Sequence, residues 1–158
     1  RLKHNVRPRR MRSEFVEIND QNIGVFFVLY GSVFNEAPWN DGWHEDAVRE
    51  RLETFVQFPR FYGLGYVADS APVALVFGWS ERWIHGWHFH LKEMCVSTPL
   101  QRQGLGRILL TELESRLVSR GVQRIFLESG EPLPARRFYE VLGYRPLSFV
   151  SLAKSIEG

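Results

Sequence analysis

From residue 105 to residue 117 leucine recurs at every fourth position: Leu105, Leu109, Leu113 and Leu117. Arg107, Thr111, Glu112, Ser115, Arg116 and Ser119 take the other side. This spacing predicts an amphipathic helix, with Gly121 as its stop. Just before it, Phe89 to Val96 is short, largely apolar and closed by Ser97-Thr98-Pro99, the pattern of a buried strand ending in a turn. Upstream, Phe15 to Ile18 reads as a strand. Asp20 can cap a helix reaching about Phe34, with Ile23, Phe26, Phe27, Tyr30 and Val33 on one side. A second helix from Glu45 to Phe55 turns Val48, Leu52 and Phe55 inward, and Pro59 ends that region. Phe61 to Ala68 and Val73 to Trp79 read as antiparallel neighbours joined through Asp69 to Pro72, and a Trp/His loop follows. After the leucine helix come a strand from Gln123 to Glu128, a helix from Pro134 to Leu142 ended by Gly143, and a final strand from Leu147 to Leu152. The order predicts an α/β fold of the α+β type, a mixed, mostly antiparallel central sheet flanked by helices.

The 158 residues suffice for one domain with a substantial core, and no shift in composition divides them. The formal charge of +2 conceals an asymmetry. Arg1, Lys3, Arg7, Arg9, Arg10 and Arg12 all precede the first acid, Glu14. A basic tail over residues 1–12 followed by a domain over residues 13–158 is the simplest division, and the body then carries an acidic excess suited to a cationic partner. The bland reading of the tail is a solvated arm; a nucleic-acid or membrane arm is the other. The single cysteine, Cys95, excludes an intramolecular disulfide and reads as core packing. No apolar run long enough to span a bilayer is present, and the basic start lacks the apolar segment of a signal peptide. These features predict a cytoplasmic protein without nucleic-acid or membrane partners.

The chemistry concentrates between strand and helix, in Gln101-Arg-Gln-Gly-Leu-Gly106. Two glycines allow a tight turn and a close backbone approach, and the first amides of the following helix point at whatever lies there, which suits a pyrophosphate. In this strand–loop–helix context the segment resembles the signature of the GNAT superfamily of acyl-CoA-dependent N-acyltransferases, Gln/Arg-x-x-Gly-x-Gly/Ala. Gln101, Gly104 and Gly106 match it. Ala135-Arg-Arg-Phe-Tyr139-Glu-Val-Leu-Gly143-Tyr144 is similar to that family's C-terminal segment, and the likeness spans roughly Phe15 to Lys154. Pro132 stands where many relatives carry an asparagine. The resemblance implies acetyl-CoA as cofactor, held by Met94, Val96, Gln101, Arg102, Gln103, Gly104, Leu105, Gly106, Arg107, Arg136 and Tyr139. It also implies that a backbone amide at Val96, where the strand splays from its neighbour, faces the developing oxyanion. Tyr139 matches the usual acid for the leaving thiolate, or else packs under the cofactor.

An alkylammonium must lose a proton before it attacks a thioester, so a base is required. Three residues compete. His90 lies six residues before Val96, where several relatives place a glutamate base, and an imidazole in general suits a proton shuttle near neutral pH. Glu93 lies three before, which strand alternation puts on the face away from His90 and Val96 unless a bulge intervenes. Glu81 follows the preceding strand and can attract a cationic amine. His85, His88 and His90 also form His-x-x-His-x-His, but no further ligand completes a tetrahedral set, so no metal is expected. Trp39, Trp43, Trp83 and Trp87, in polar loops, read either as core or lid, or as the walls of an acceptor pocket with cation–π capacity.

The sequence therefore predicts an acetyl-CoA-dependent N-acetyltransferase acting by direct transfer in a ternary complex. Its expected acceptor is a small-molecule amine, aminoglycoside-like or polyamine-like. A protein or peptide N-acetyltransferase and a non-catalytic acyl-CoA-binding sensor are the alternatives. Paired subunits, common among similar proteins, make a homodimer part of the expectation.

Overall fold

The computed structural model describes residues 12–130 and 134–156. The basic tail up to residue 11 and Pro132 lie outside the described residues. The chain divides into two compact units, one ending at Glu128 and one starting at Ser129.

The first unit is built on a five-stranded sheet: β1 (Ser13–Glu17), β2 (Phe61–Ala68), β3 (Ala71–Trp83), β4 (Gly86–Val96) and β5 (Val122–Phe126), in that spatial order. All pairings are antiparallel except β4 with β5. A 3₁₀ turn (Ile23–Phe26), α1 (Phe27–Phe34) and α2 (Glu45–Val56) cover one face, and α3 (Leu105–Ser119) packs on the other. On the α1/α2 face Phe26, Tyr30, Val33, Leu52 and Phe55 close over Leu75, Phe77 and Cys95. Leu109, Leu110, Leu113 and Leu117 are the buried stripe of α3, each fully buried leucine worth about 1.5–3 kcal/mol.

Several boundaries differ from the sequence reading for local reasons. Asp20 does not cap a helix. Asn19 Oδ1 accepts from the amides of Gln21 and Asn22, while Asn22 Oδ1 accepts from the Asn19 amide. This reciprocal side-chain turn delays the helix to Ile23 and starts it as 3₁₀. The Trp/His loop is instead a hairpin: β3 and β4 run through it and reverse over Ile84 and His85 alone. The β2–β3 reversal is likewise tighter than expected, with Asp69 and Ser70 both at positive φ, as a two-residue turn requires.

In the second unit, α4 (Pro134–Val141) ends before Gly143, whose φ is +99°. The expected strand at Leu147–Leu152 does not form. A strand needs a ladder partner, and α4 is the regular element of this unit among the described residues; Phe149, Val150 and Leu152 are exposed.

Candidate active site

The site begins with an irregularity between β3 and β4. Phe77 pairs with Glu93 and Gly78 with Leu91, so Lys92 is an extra residue in β4, a β-bulge. Gly78 permits it: a Cβ there would lie 1.9 Å from the His90 carbonyl oxygen. Beyond the bulge the side-chain alternation is shifted by one. Glu93 therefore shares the α1/α2 face with His90, whereas Met94 and Val96 turn to the α3 face, opposite to an unbroken alternation.

Although they share a face, the two candidate bases have different surroundings. Glu93 is buried and ion-paired with Arg51, whose Nε donates to the Tyr30 hydroxyl at 3.0 Å. The Arg51 guanidinium also lies over the rings of Phe55 at 4.9 Å and Trp43 at 5.3 Å. Burial pushes the Glu93 carboxyl above its ordinary range, against the pull of Arg51. Burial likewise raises the Tyr30 phenol and the Cys95 thiol, so Cys95 stays a neutral core residue.

His90 is held between rings, stacked on Trp79 (5.6 Å) in β3 and on Phe126 (5.7 Å) in β5. Glu81 Oε1 lies 3.0 Å from its Nε2. Nε2, itself buried, makes no hydrogen bond with it or with any other group among the described residues. Glu81 is also the half-exposed member of the pair, open to an incoming cation.

The tryptophans divide between faces. Trp83 stacks on His88 at 5.3 Å, on the His90 side. Trp87 pairs with Arg82 on the opposite face, and the Arg60 guanidinium sits 3.5 Å from its ring centre. Trp39 and Trp43 pack edge-on against Phe34 and Tyr30, partly buried against the core. The structure thus brings Trp83, but not Trp87, to the face of His90. Trp79, which the sequence reading left in the core strand, supplies the stacking partner. Its register opposite His90 was the signal available. Among the described residues no cluster of His, Cys, Asp and Glu is arranged to hold a metal ion.

The pairing of β4 with β5 ends at His90 and Phe126, while β4 continues to Val96. The Ser97 amide bonds to the Val73 carbonyl, so alternation points the N–H and C=O of Val96 and Met94 away from β3. Gln101 Nε2 donates to the Val96 carbonyl at 2.9 Å on that side, tying the loop to the strand end. Arg102 (φ +60°) and Gly104 (φ +86°) then turn the chain into α3. Nothing lies within 4 Å of a Cβ built on Gly104, and no side chain caps the helix. The amides of Leu105, Gly106 and Arg107 thus lead an uncapped helix, as anion binding requires. Gln103 braces the loop through the Pro99 carbonyl at 3.2 Å. In the second unit, Tyr139 lies edge-on to Phe138 and Tyr144, and Arg136 pairs with Glu140 at 2.9 Å.

Residues 29–144 match the family model described as the acetyltransferase (GNAT) family. No curated protein sequence matches the chain. Among solved structures, the chain is similar to aminoglycoside N-acetyltransferase AAC(6')-Iy in complex with CoA, with 13% identity, a TM-score of 0.76, and 95% of this chain and 99% of that chain covered. It is also similar to aminoglycoside acetyltransferase meta-AAC0020 from an uncultured soil metagenomic sample, in complex with sisomicin (14%, 0.73, 92% and 97%). A third is ribosomal-protein-alanine N-acetyltransferase from Brucella melitensis biovar Abortus 2308 (14%, 0.73, 92% and 100%). At these identities the likeness is one of fold. No helix among the described residues is long and apolar enough to cross a membrane. With its family matched over most of its length, the chain belongs to the GNAT family and is an acetyl-CoA-dependent acetyltransferase.

Proposed function

We propose that this enzyme acetylates the primary amine of a small-molecule acceptor by direct attack in a ternary complex, with His90 as the general base. The observation that carries this reading is the unpartnered Nε2 of His90 beside the Glu81 carboxylate. Glu93, on the same face, is committed to Arg51.

In this mechanism the pyrophosphate of acetyl-CoA rests on the uncapped start of α3 and the loop at Gln101 to Gly104. Its pantetheine arm runs along the open edge of β4. Six residues of strand separate His90 from Val96, about 20 Å less the bulge. The thioester carbonyl is placed along β4 between the two, with Val96, at the strand end, on the side of the arm. Glu81 draws in the ammonium and His90 removes one proton to water. The amine nitrogen then attacks the thioester carbon, whose oxygen takes the charge opposite the β4 amides. As the tetrahedral adduct collapses, the C–S bond breaks, the nitrogen gives its second proton to solvent, and Tyr139 protonates the leaving thiolate and is reprotonated from solvent. The products are an acetamide, CoA thiol and one proton. Support for Tyr139 comes from its place in the Ala135 to Tyr144 segment.

The aminoglycoside acetyltransferases among the similar structures favour a small acceptor. Thiol release from acetyl-CoA across pH tests the assignment. His90→Gln is expected to lower kcat about 10²- to 10⁴-fold and to flatten the acidic limb of the profile. A variant that changes only KM and keeps the limb would remove His90 from this role.

A further inference from the structure

Resting on that reading, we infer that the acceptor is a monoamine carrying a carboxylate, a free amino acid with an aromatic or large apolar side chain, and that Arg124 is its specificity-determining residue. Glu81, His88 and Arg124 stand opposite one another across β3, β4 and β5. Glu81 leans to His90, and the Arg124 guanidinium lies 5.6 Å from the Phe126 ring centre. One negative and one positive charge are thus set beside neighbouring stacked rings, His90 and Phe126. No carboxylate among the described residues pairs with Arg124, which is exposed. A guanidinium stacked on a ring keeps its N–H edge free for bidentate capture of a carboxylate.

The same arrangement argues against a polycation. Because Glu93 is neutralised by Arg51, Glu81, beside the His90 imidazole, is the exposed carboxylate that β3 brings to this floor. A second ammonium would meet Arg124 instead of an acid. The zwitterion of an amino acid places its ammonium by Glu81 and His90 and its carboxylate by Arg124. Trp83, exposed on the same face, is placed to flank the side chain.

The test compares thiol release from acetyl-CoA with L-phenylalanine, 2-phenylethylamine, spermidine and sisomicin. We expect kcat/KM for phenylalanine to exceed the two polycations by about tenfold or more. In Arg124→Ala the phenylalanine to phenylethylamine ratio should fall about 10- to 100-fold, the worth of one charge-assisted hydrogen bond. Arg124→Lys should restore part of it. Unchanged melting temperatures in both variants establish that the fold is intact. Preference for spermidine or sisomicin, or an Arg124→Ala ratio equal to the wild type, overturns the inference while leaving acetyl transfer standing. Absence of thiol release with every amine, although acetyl-CoA raises the melting temperature, overturns the transfer mechanism as well.

Discussion

Replacing Arg51 by methionine separates two contributions that meet at one side chain. The guanidinium neutralises the buried Glu93, bonds the Tyr30 hydroxyl and lies over Phe55 and Trp43. The ring contacts contribute about 0.5–1 kcal/mol each and do not depend on the state of Glu93. Removing one partner of a buried ion pair costs about 3–5 kcal/mol when both are dry. Arg51 retains 29% side-chain exposure, so about 2–3 kcal/mol is the better expectation for the charge contribution. At pH 8 Arg51→Met should therefore lose about 3–5 kcal/mol, roughly 6–20 °C in Tm for a chain of this size. The loss should shrink toward acid. In the wild type the Glu93 carboxyl is already raised by burial, and removing Arg51 deletes the two strongest influences holding it down. Its folded pKa rises further above the unfolded value, so stability is retained below the unfolded pKa and lost as pH climbs through the folded one. Urea denaturation at pH 5 and pH 8 measures this, with Arg51→Met/Glu93→Leu as the companion. The double variant should recover most of the loss at pH 8. A deficit that is equal at both pH values, or larger at pH 5, would refute the reasoning.

Three other substitutions probe the rest of the site. Gly104→Val should abolish the acetyl-CoA-induced rise in Tm. It should cost no more than about 2 kcal/mol of stability by urea denaturation, because its Cβ meets no neighbour and only the left-handed φ is strained. Retained cofactor affinity would count against the loop assignment. Gly78→Ala, whose Cβ would strike the His90 carbonyl at 1.9 Å, should destabilise by about 2–4 kcal/mol and lower kcat by displacing His90, read by melting and by thiol release. Tyr139→Phe should lower kcat about 10- to 100-fold with acetyl-CoA affinity within twofold of the wild type. Turnover equal to wild type at every pH would leave Tyr139 a packing residue only.

The strand–loop–helix unit was legible because each part carries its own signal. The Phe89 to Val96 run reads as a buried strand, the leucines four apart fix α3, and Gly104 occupies a left-handed position. The first two β-hairpin strands were legible through turn chemistry at Asp69 and Ser70. What was hidden depends on long-range pairing. The reversal at Ile84 and His85 contains neither glycine nor proline, so the extension of β3 to Trp83 shows only when β4 is opposite it. Apolarity at Leu147 to Leu152 suggested a strand, but a strand is a property of two segments, and the composition of one cannot supply the other. At Asn19 and Asn22 the side chains bond each other in a way that a search for one capping residue misses.

One residue reverses the faces on which the candidate bases lie. Counting along an unbroken strand puts His90 and Val96 on one face and Glu93 on the other. The extra residue at Lys92 puts Glu93 with His90 and turns Val96 away. Parity then favours both bases equally, and the decision passes to their partners. Glu93 arrives where Arg51 descends from α2 and is absorbed into the core with Tyr30. His90 arrives between two flat rings, with an unpartnered nitrogen and a solvent-facing carboxylate nearby. A proton acceptor for substrate must be able to exchange that proton with water after turnover. The Glu81–His90 pair offers a half-exposed carboxylate beside the imidazole, whereas the Glu93–Arg51 pair would first have to break a buried charge contact.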